Sequence, residues 1–162
     1  MPAAPSSVAE VVELALPPRP EVVSVVRLVV GALVSADPMF DEERSADVRL
    51  ALSEACTNAI EAQEICTEHP AEPILVRCTV TEGHLEFSVT DHGSGFDPEA
   101  LPSHPDVADP ARLDYESGLG IPLIRLLSDH VEFQVSPGGT TVMMTFEPRP
   151  AGGEALLQPT GT

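Results

Sequence analysis

The apolar residues of this chain change period near residue 70, and no other feature restricts its fold so far. From Glu21 to that point they recur at three- and four-residue spacing, the repeat of one helical face. Glu21 to about Ala36 carries Val22, Val25, Val26, Val29, Val30 and Leu33 in such a stripe and stops at Asp37-Pro38. A longer helix is expected from about Asp41, whose carboxylate can cap the first turn, to about Cys66. After His69-Pro70 the period is two. Ile74 to Val80 and Leu85 to Thr90 read as antiparallel strands joined at Glu82-Gly83. In the second, Leu85, Phe87 and Val89 alternate with Glu86, Ser88 and Thr90, the pattern of a sheet with one buried face. Val11 to Leu16 supplies a strand ahead of the helices, closed by Pro17-Pro18. A short helix from Ile121 to Ser128 precedes a last hairpin, Val131 to Val135 and Thr141 to Phe146, around Pro137-Gly138-Gly139. The expected class is α+β: a two-layer sandwich in which a mixed, mostly antiparallel sheet carries three helices on one face.

A length of 162 residues suits one domain. Its expected limits are 9–147, with a flexible N-terminus over 1–8 and a Pro/Gly-rich, disordered tail over 148–162. Between Phe96 and Ser117 there is no period, and Pro98, Pro102, Pro105 and Pro110 interrupt the stretch; a lid over about 96–117 is expected. The formal charge of −18 repels phosphate backbones, so nucleic acid is not an expected partner. All eight basic residues are arginine. The absence of lysine excludes a Walker-type phosphate loop and the eukaryotic-type protein kinase site, both of which need one. Three cysteines, Cys56, Cys66 and Cys78, have no CxxC spacing and read as reduced thiols. The first residues have no basic n-region, and the apolar run Val22 to Val34 is too short and too interrupted to span a bilayer. A cytoplasmic protein with no membrane partner is expected.

Three separated pieces carry candidate chemistry. On the long helix, Glu54 and Asn58 are four residues apart and so share a face; Asp47, Ala51, Glu61 and Ala62 lie near it, with Val48, Leu52, Ala55, Ala59 and Ile60 on or beside the opposite one. At the end of a strand stands Asp91-x-Gly93-x-Gly95. Gly118-Leu119-Gly120 opens a helix, and Gly139-Thr140 leads into the last strand. Each piece suits a nucleotide. A strand-end aspartate can accept a hydrogen bond from an exocyclic amine such as adenine N6. Glycines allow positive φ and close backbone approach. A helix start offers amide hydrogens to phosphates, and an asparagine oxygen is a suitable Mg²⁺ ligand.

The order ALSEACTNAIEA, VTDHGSGFDP, ESGLGIPLI and GGTTVMMTF resembles the asparagine box and three glycine boxes of the GHKL superfamily. That superfamily comprises the ATP-binding domains of gyrase, heat-shock chaperones, histidine kinases and MutL. Within it, the strings SEACTNAIE and DHGSGFDP look most like the small anti-sigma-factor serine kinases of bacterial partner switching. The likeness runs from Val11 to Phe146 and implies the Bergerat fold with ATP and Mg²⁺ as cofactors. It implies Glu54 as general base toward a serine hydroxyl, Asn58 as Mg²⁺ ligand and Asp91 as adenine acceptor. Gly93, Gly95, Gly118, Leu119 and Gly120 would shape the nucleotide pocket and lid, and Thr140 would support the adenine side. Implied partners are a sigma factor, a STAS-domain anti-anti-sigma factor phosphorylated on serine, and a second copy in a homodimer. Two positions depart from the pattern. Ala62 stands where relatives often carry histidine, and Ser117-Gly118 lacks a frequent arginine, leaving Arg112, Arg125 or the metal to meet the γ-phosphate. These departures leave open an alternative, a regulatory module that binds ATP and sequesters partners with little transfer. A detached histidine-kinase domain ranks behind both, because no phosphoacceptor helix pair is present.

Overall fold

The computed structural model describes residues 10–66, 71–81, 83–95 and 120–149. The expected N-terminal segment 1–8, the lid at 96–117, Gly118, Leu119 and the tail beyond Arg149 lie outside these residues. In chain order the elements are β1 (Glu10–Leu16), α1 (Val22–Ser35), α2 (Glu42–Ile65), β2 (Ile74–Thr81), β3 (His84–Thr90), α3 (Gly120–Leu127), β4 (His130–Ser136) and β5 (Gly139–Phe146). The sheet order is β1-β2-β3-β5-β4, and every described pairing is antiparallel. The last strand thus enters the middle of the sheet, beside β3.

Side-chain alternation divides the sheet into two faces. One rung runs Val12, Cys78, Phe87, Met144 and Val131 across all five strands; the next runs Leu14, Val76, Val89, Val142 and Phe133. Both rungs belong to the core that α1, α2 and α3 cover. Phe87 and Phe146 meet edge to face at 6.0 Å. The opposite face carries Glu13, Arg77, Ser88, Met143 and Glu132 in register and has no described helix over it.

The helices follow the sequence with local differences. Asp41 caps α2 as expected, its Oδ1 accepting from Arg44 N at 2.7 Å, and Glu42 and Glu43 lie in the first turn, where acids favour the helix dipole. In α1 the buried row is Val22, Val26, Val30 and Val34, while Val25, expected in the apolar stripe, is 46% exposed. The helix leans on the core along this i, i+4 row, with Val23 and Leu33 packed beside it, and turns Val25 outward. In α2, Ala51 is fully buried rather than part of an open polar face, because α3 packs against that side. The Glu54 and Asn58 face is therefore a seam between two helices, and both residues are half-buried. Helix α3 begins at Gly120, one residue earlier than its apolar pattern indicates, and Gly139 and Thr140 belong to β5. Of the expected tail, Arg149 is held by an ion pair to Asp47 at 2.9 Å. No described helix is long and apolar enough to cross a membrane.

Candidate functional site

Asp91 is where β3 leaves the sheet, and the insertion of β5 beside β3 brings Thr140 to it. Asp91 N donates to Thr140 O at 2.9 Å. In return Asp91 Oδ1 accepts from Thr140 N at 3.3 Å and from Gly93 N at 2.8 Å. The carboxyl is 5% exposed, and burial raises its pKa above the ordinary value, against two amide hydrogen bonds and the nearby His92, which lower it. Oδ1 is committed to the backbone; no described residue donates to Oδ2. Thr140 is 1% exposed, and its Oγ1 has no hydrogen-bond partner among the described residues. A buried hydroxyl without a partner is costly, so an orphan of this kind suits a ligand that completes it.

Two glycines make this arrangement sterically possible. At Gly139 φ is 141°, and a β-carbon would stand 1.9 Å from Asp91 O, so only a residue without a side chain admits the β3–β5 approach. At Gly93 a β-carbon would lie 2.8 Å from Ala62 O and 3.0 Å from Ala62 Cβ. The last turns of α2 thus rest directly on the Asp91 loop, with Ala62 at the contact.

Four residues back along α2 from Ala62, about 6 Å of helix rise, is Asn58, with Glu54 one turn further. Both side chains converge on the start of α3. A β-carbon at Gly120 would stand 3.0 Å from Asn58 Oδ1, 3.1 Å from its Nδ2 and 3.1 Å from Glu54 Oε2. The carboxylate and the carboxamide therefore meet at Gly120, the first described residue of α3. No group of three or more His, Cys, Asp or Glu that could hold a metal exists among the described residues. Asn58 Oδ1 is a single oxygen ligand, the kind of site at which Mg²⁺ keeps water and phosphate oxygens in its shell.

Of the residues singled out from the sequence, the structure gathers Asp91, Gly93 and Thr140 at one end of α2 and Glu54, Asn58 and Gly120 further along it. Gly95, at φ 78°, lies against β4 and the following turn, within 4.0 Å of Thr140 Oγ1 measured from its β-carbon position. Gly118, Leu119 and Arg112 lie outside the described residues. Arg125 is on α3 with its guanidinium 5.5 Å from the Phe133 ring centre. Sequence reasoning missed Gln63. Its Nε2 donates to Glu72 O, and its Oε1 accepts from His92 N at 3.3 Å, which ties the end of α2 to the segment leading into β2 and to the Asp91 loop. The signal available was a polar residue on the arc of α2 that also carries Cys56 and Ile60.

An antiparallel sheet backed by three helices, with the longest helix joining a strand-end aspartate to a glutamate–asparagine pair, makes a two-layer α+β sandwich. The chain matches the family described as histidine kinase-like ATPase domain over residues 16–146, and it belongs to that family. It is 33% identical over 141 residues to serine-protein kinase RsbW of Bacillus pumilus, covering 85% of this chain and 86% of the relative. With RsbW of Bacillus subtilis the identity is 34% over 145 residues, at 85% of each chain. A crystal structure of the RsbU and RsbW domains of a Mycobacterium tuberculosis protein has the same fold, with a TM-score of 0.64 at 21% identity. The likeness covers 88% of this chain and 34% of that one.

Proposed function

We propose that this chain is an ATP-dependent protein-serine kinase and anti-sigma factor. In this reading residues 9–147 form the kinase domain, 96–117 the lid, and the chain works as a homodimer. It binds a sigma factor and phosphorylates a STAS-domain anti-anti-sigma factor on serine. The observation that carries the reading is the convergence of Glu54 Oε2 and Asn58 Oδ1 on Gly120 at the start of α3. A carboxylate base beside a metal ligand suits phosphoryl transfer to a hydroxyl, since the reaction depends on positioning and charge neutralisation. The serine kinase relatives support the same chemistry.

Bound Mg·ATP supplies the transferable phosphoryl group and the cation that neutralises it. Asp91, whose Oδ1 is held by Gly93 N and Thr140 N, would offer Oδ2 to the adenine amine, and Thr140 Oγ1 would find a partner on that side. Gly93, Gly95, Gly118, Leu119 and Gly120 keep the walls free of side chains. Asn58 Oδ1 would help hold the cation, and Glu54 would accept the proton of the serine hydroxyl that receives the phosphoryl group. A second reading, a module that binds ATP and sequesters partners, draws on the missing arginine beside Gly118 and on the stacking of Arg125 over Phe133.

The deciding experiment incubates the protein with Mg·ATP and the STAS-domain proteins encoded beside it, followed by intact mass. A gain of one phosphate on a STAS serine, abolished by Glu54→Gln with ATP binding retained, is the expected result. ATP binding without transfer to any candidate selects the sequestering module, and transfer that survives Glu54→Gln removes Glu54 as the base.

A further inference from the structure

Among the described arginines Arg44 alone is fully buried, and nothing in the nucleotide site uses it directly. A buried guanidinium is tolerated only when its donors are met. Those of Arg44 are met from α2 itself, the end of α3, the turn after α3 and the residue after β5. Its Nη1 donates to Leu127 O at 2.7 Å and to Asp47 Oδ2 at 3.3 Å, its Nη2 to Asp129 Oδ2, and its Nε to Glu147 O at 3.0 Å. Its central carbon lies 5.2 Å from the Phe146 ring centre. Leu127 is the last residue of α3, and Asp129 begins the turn into β4.

Helices α2 and α3 are antiparallel along their seam: Arg44 meets the end of α3, and Glu54 and Asn58 meet its start. We infer that Arg44 is a positioning residue, which by holding the C-terminal end of α3 sets the place of Gly120 against Glu54 and Asn58. Helix α3 is about two turns long, so its two ends move together. A slip of one residue along α2 displaces the start of α3 by about 1.5 Å or turns it by about 100°. The planar fork matters, because Arg44 serves acceptors lying in different directions, and a lysine ammonium on a flexible stem does not fix them together. Asp129 is shared: its Oδ2 also accepts from Glu147 N at 2.7 Å, so the same cluster anchors the chain leaving β5.

This inference rests on the nucleotide reading of the Glu54–Asn58 face, and its test separates the two. Mg·ATP binding is measured by titration calorimetry for the full chain and for Arg44→Gln, Arg44→Lys, Asp129→Asn and Val26→Ala, the last a core truncation on α1. Melting temperature and amide exchange across 120–127 without nucleotide are measured in parallel. Arg44→Gln is expected to raise Kd about ten- to a hundredfold and to speed exchange in α3 while β2 and β3 stay protected. Arg44→Lys should fall between, Asp129→Asn should move the same way by less, and Val26→Ala should lower the melting temperature with Kd unchanged. Arg44→Gln and Asp129→Asn that melt earlier but keep the wild-type Kd and α3 exchange overturn the inference alone. If Arg44→Gln does not fold, Asp129→Asn decides by the same two readouts. A wild-type chain that binds no Mg·ATP overturns the nucleotide reading itself.

Discussion

At the scale of single residues, Asp91 closes the turn after β3 and, in the proposed function, offers an acceptor to the nucleotide. Its folded-state pKa is raised above the usual 3.8 by burial. The folded chain therefore holds a proton that the unfolded chain has released in the window just above that value. Stability contributed by this group falls as pH rises through the window. Asp91→Asn removes that loss. Its Oδ1 still accepts from Gly93 N and Thr140 N, so the fold should hold, with a melting temperature at neutral pH equal to or above the wild type and a flatter dependence on pH. The same geometry puts Nδ2, a donor, where the proposed function needs an acceptor for the adenine amine. ATP affinity should drop about 10- to 100-fold, the worth of a hydrogen bond to a charged group, as read by calorimetry. Asp91, Glu54 and Asn58 were legible in the sequence, the first from its glycine-flanked place at a strand end and the others from their four-residue spacing. Arg44 and Gln63 were not, because a long polar side chain looks solvated until its acceptors, up to 103 residues away for Arg44, are brought to it.

At the scale of elements, the glycines at the two contacts of α2 differ in what opposes them. Gly93 faces the backbone of α2, which cannot give, whereas Gly120 faces the ends of two side chains, which can. Gly93→Ala should destabilise the domain by about 1–3 kcal/mol, seen as an earlier midpoint in urea. Gly120→Ala should leave stability within about 1 kcal/mol, since alanine favours the helix. It should nonetheless reduce phosphoryl transfer about 100-fold by pushing Glu54 and Asn58 apart. Comparable loss of stability in both variants would contradict this division. The elements themselves were readable from periodicity, down to the Asp41 cap. What periodicity mistook was the surroundings of α2: a helix covered on two sides hides its polar seam among alanines, and Ala51 gave no sign of the helix that buries it.

At the scale of the whole molecule, the charge of −18 repels both itself and an anionic ligand. Raising ionic strength shortens the reach of that repulsion. The melting temperature should rise with added NaCl, and the association rate of Mg·ATP in stopped flow should increase several-fold, opposite in sign to a nucleic-acid-binding protein. A fall in both with salt would mean that local cations outweigh the net field.

Local pattern by itself determined the two-layer α+β class, the sheet with one buried face, the glycine-bounded loops and the polar pair on α2. Each depends only on residue spacing, which repeating backbone geometry converts directly into a face. Tertiary structure alone decided that β5 enters beside β3, so that Thr140 meets Asp91, and that α3 lies antiparallel on α2, so that Gly120 meets Glu54 and Asn58 while Arg44 holds the other end. Those contacts join residues distant in the chain, and their stability comes from burial and donor satisfaction that no single segment carries.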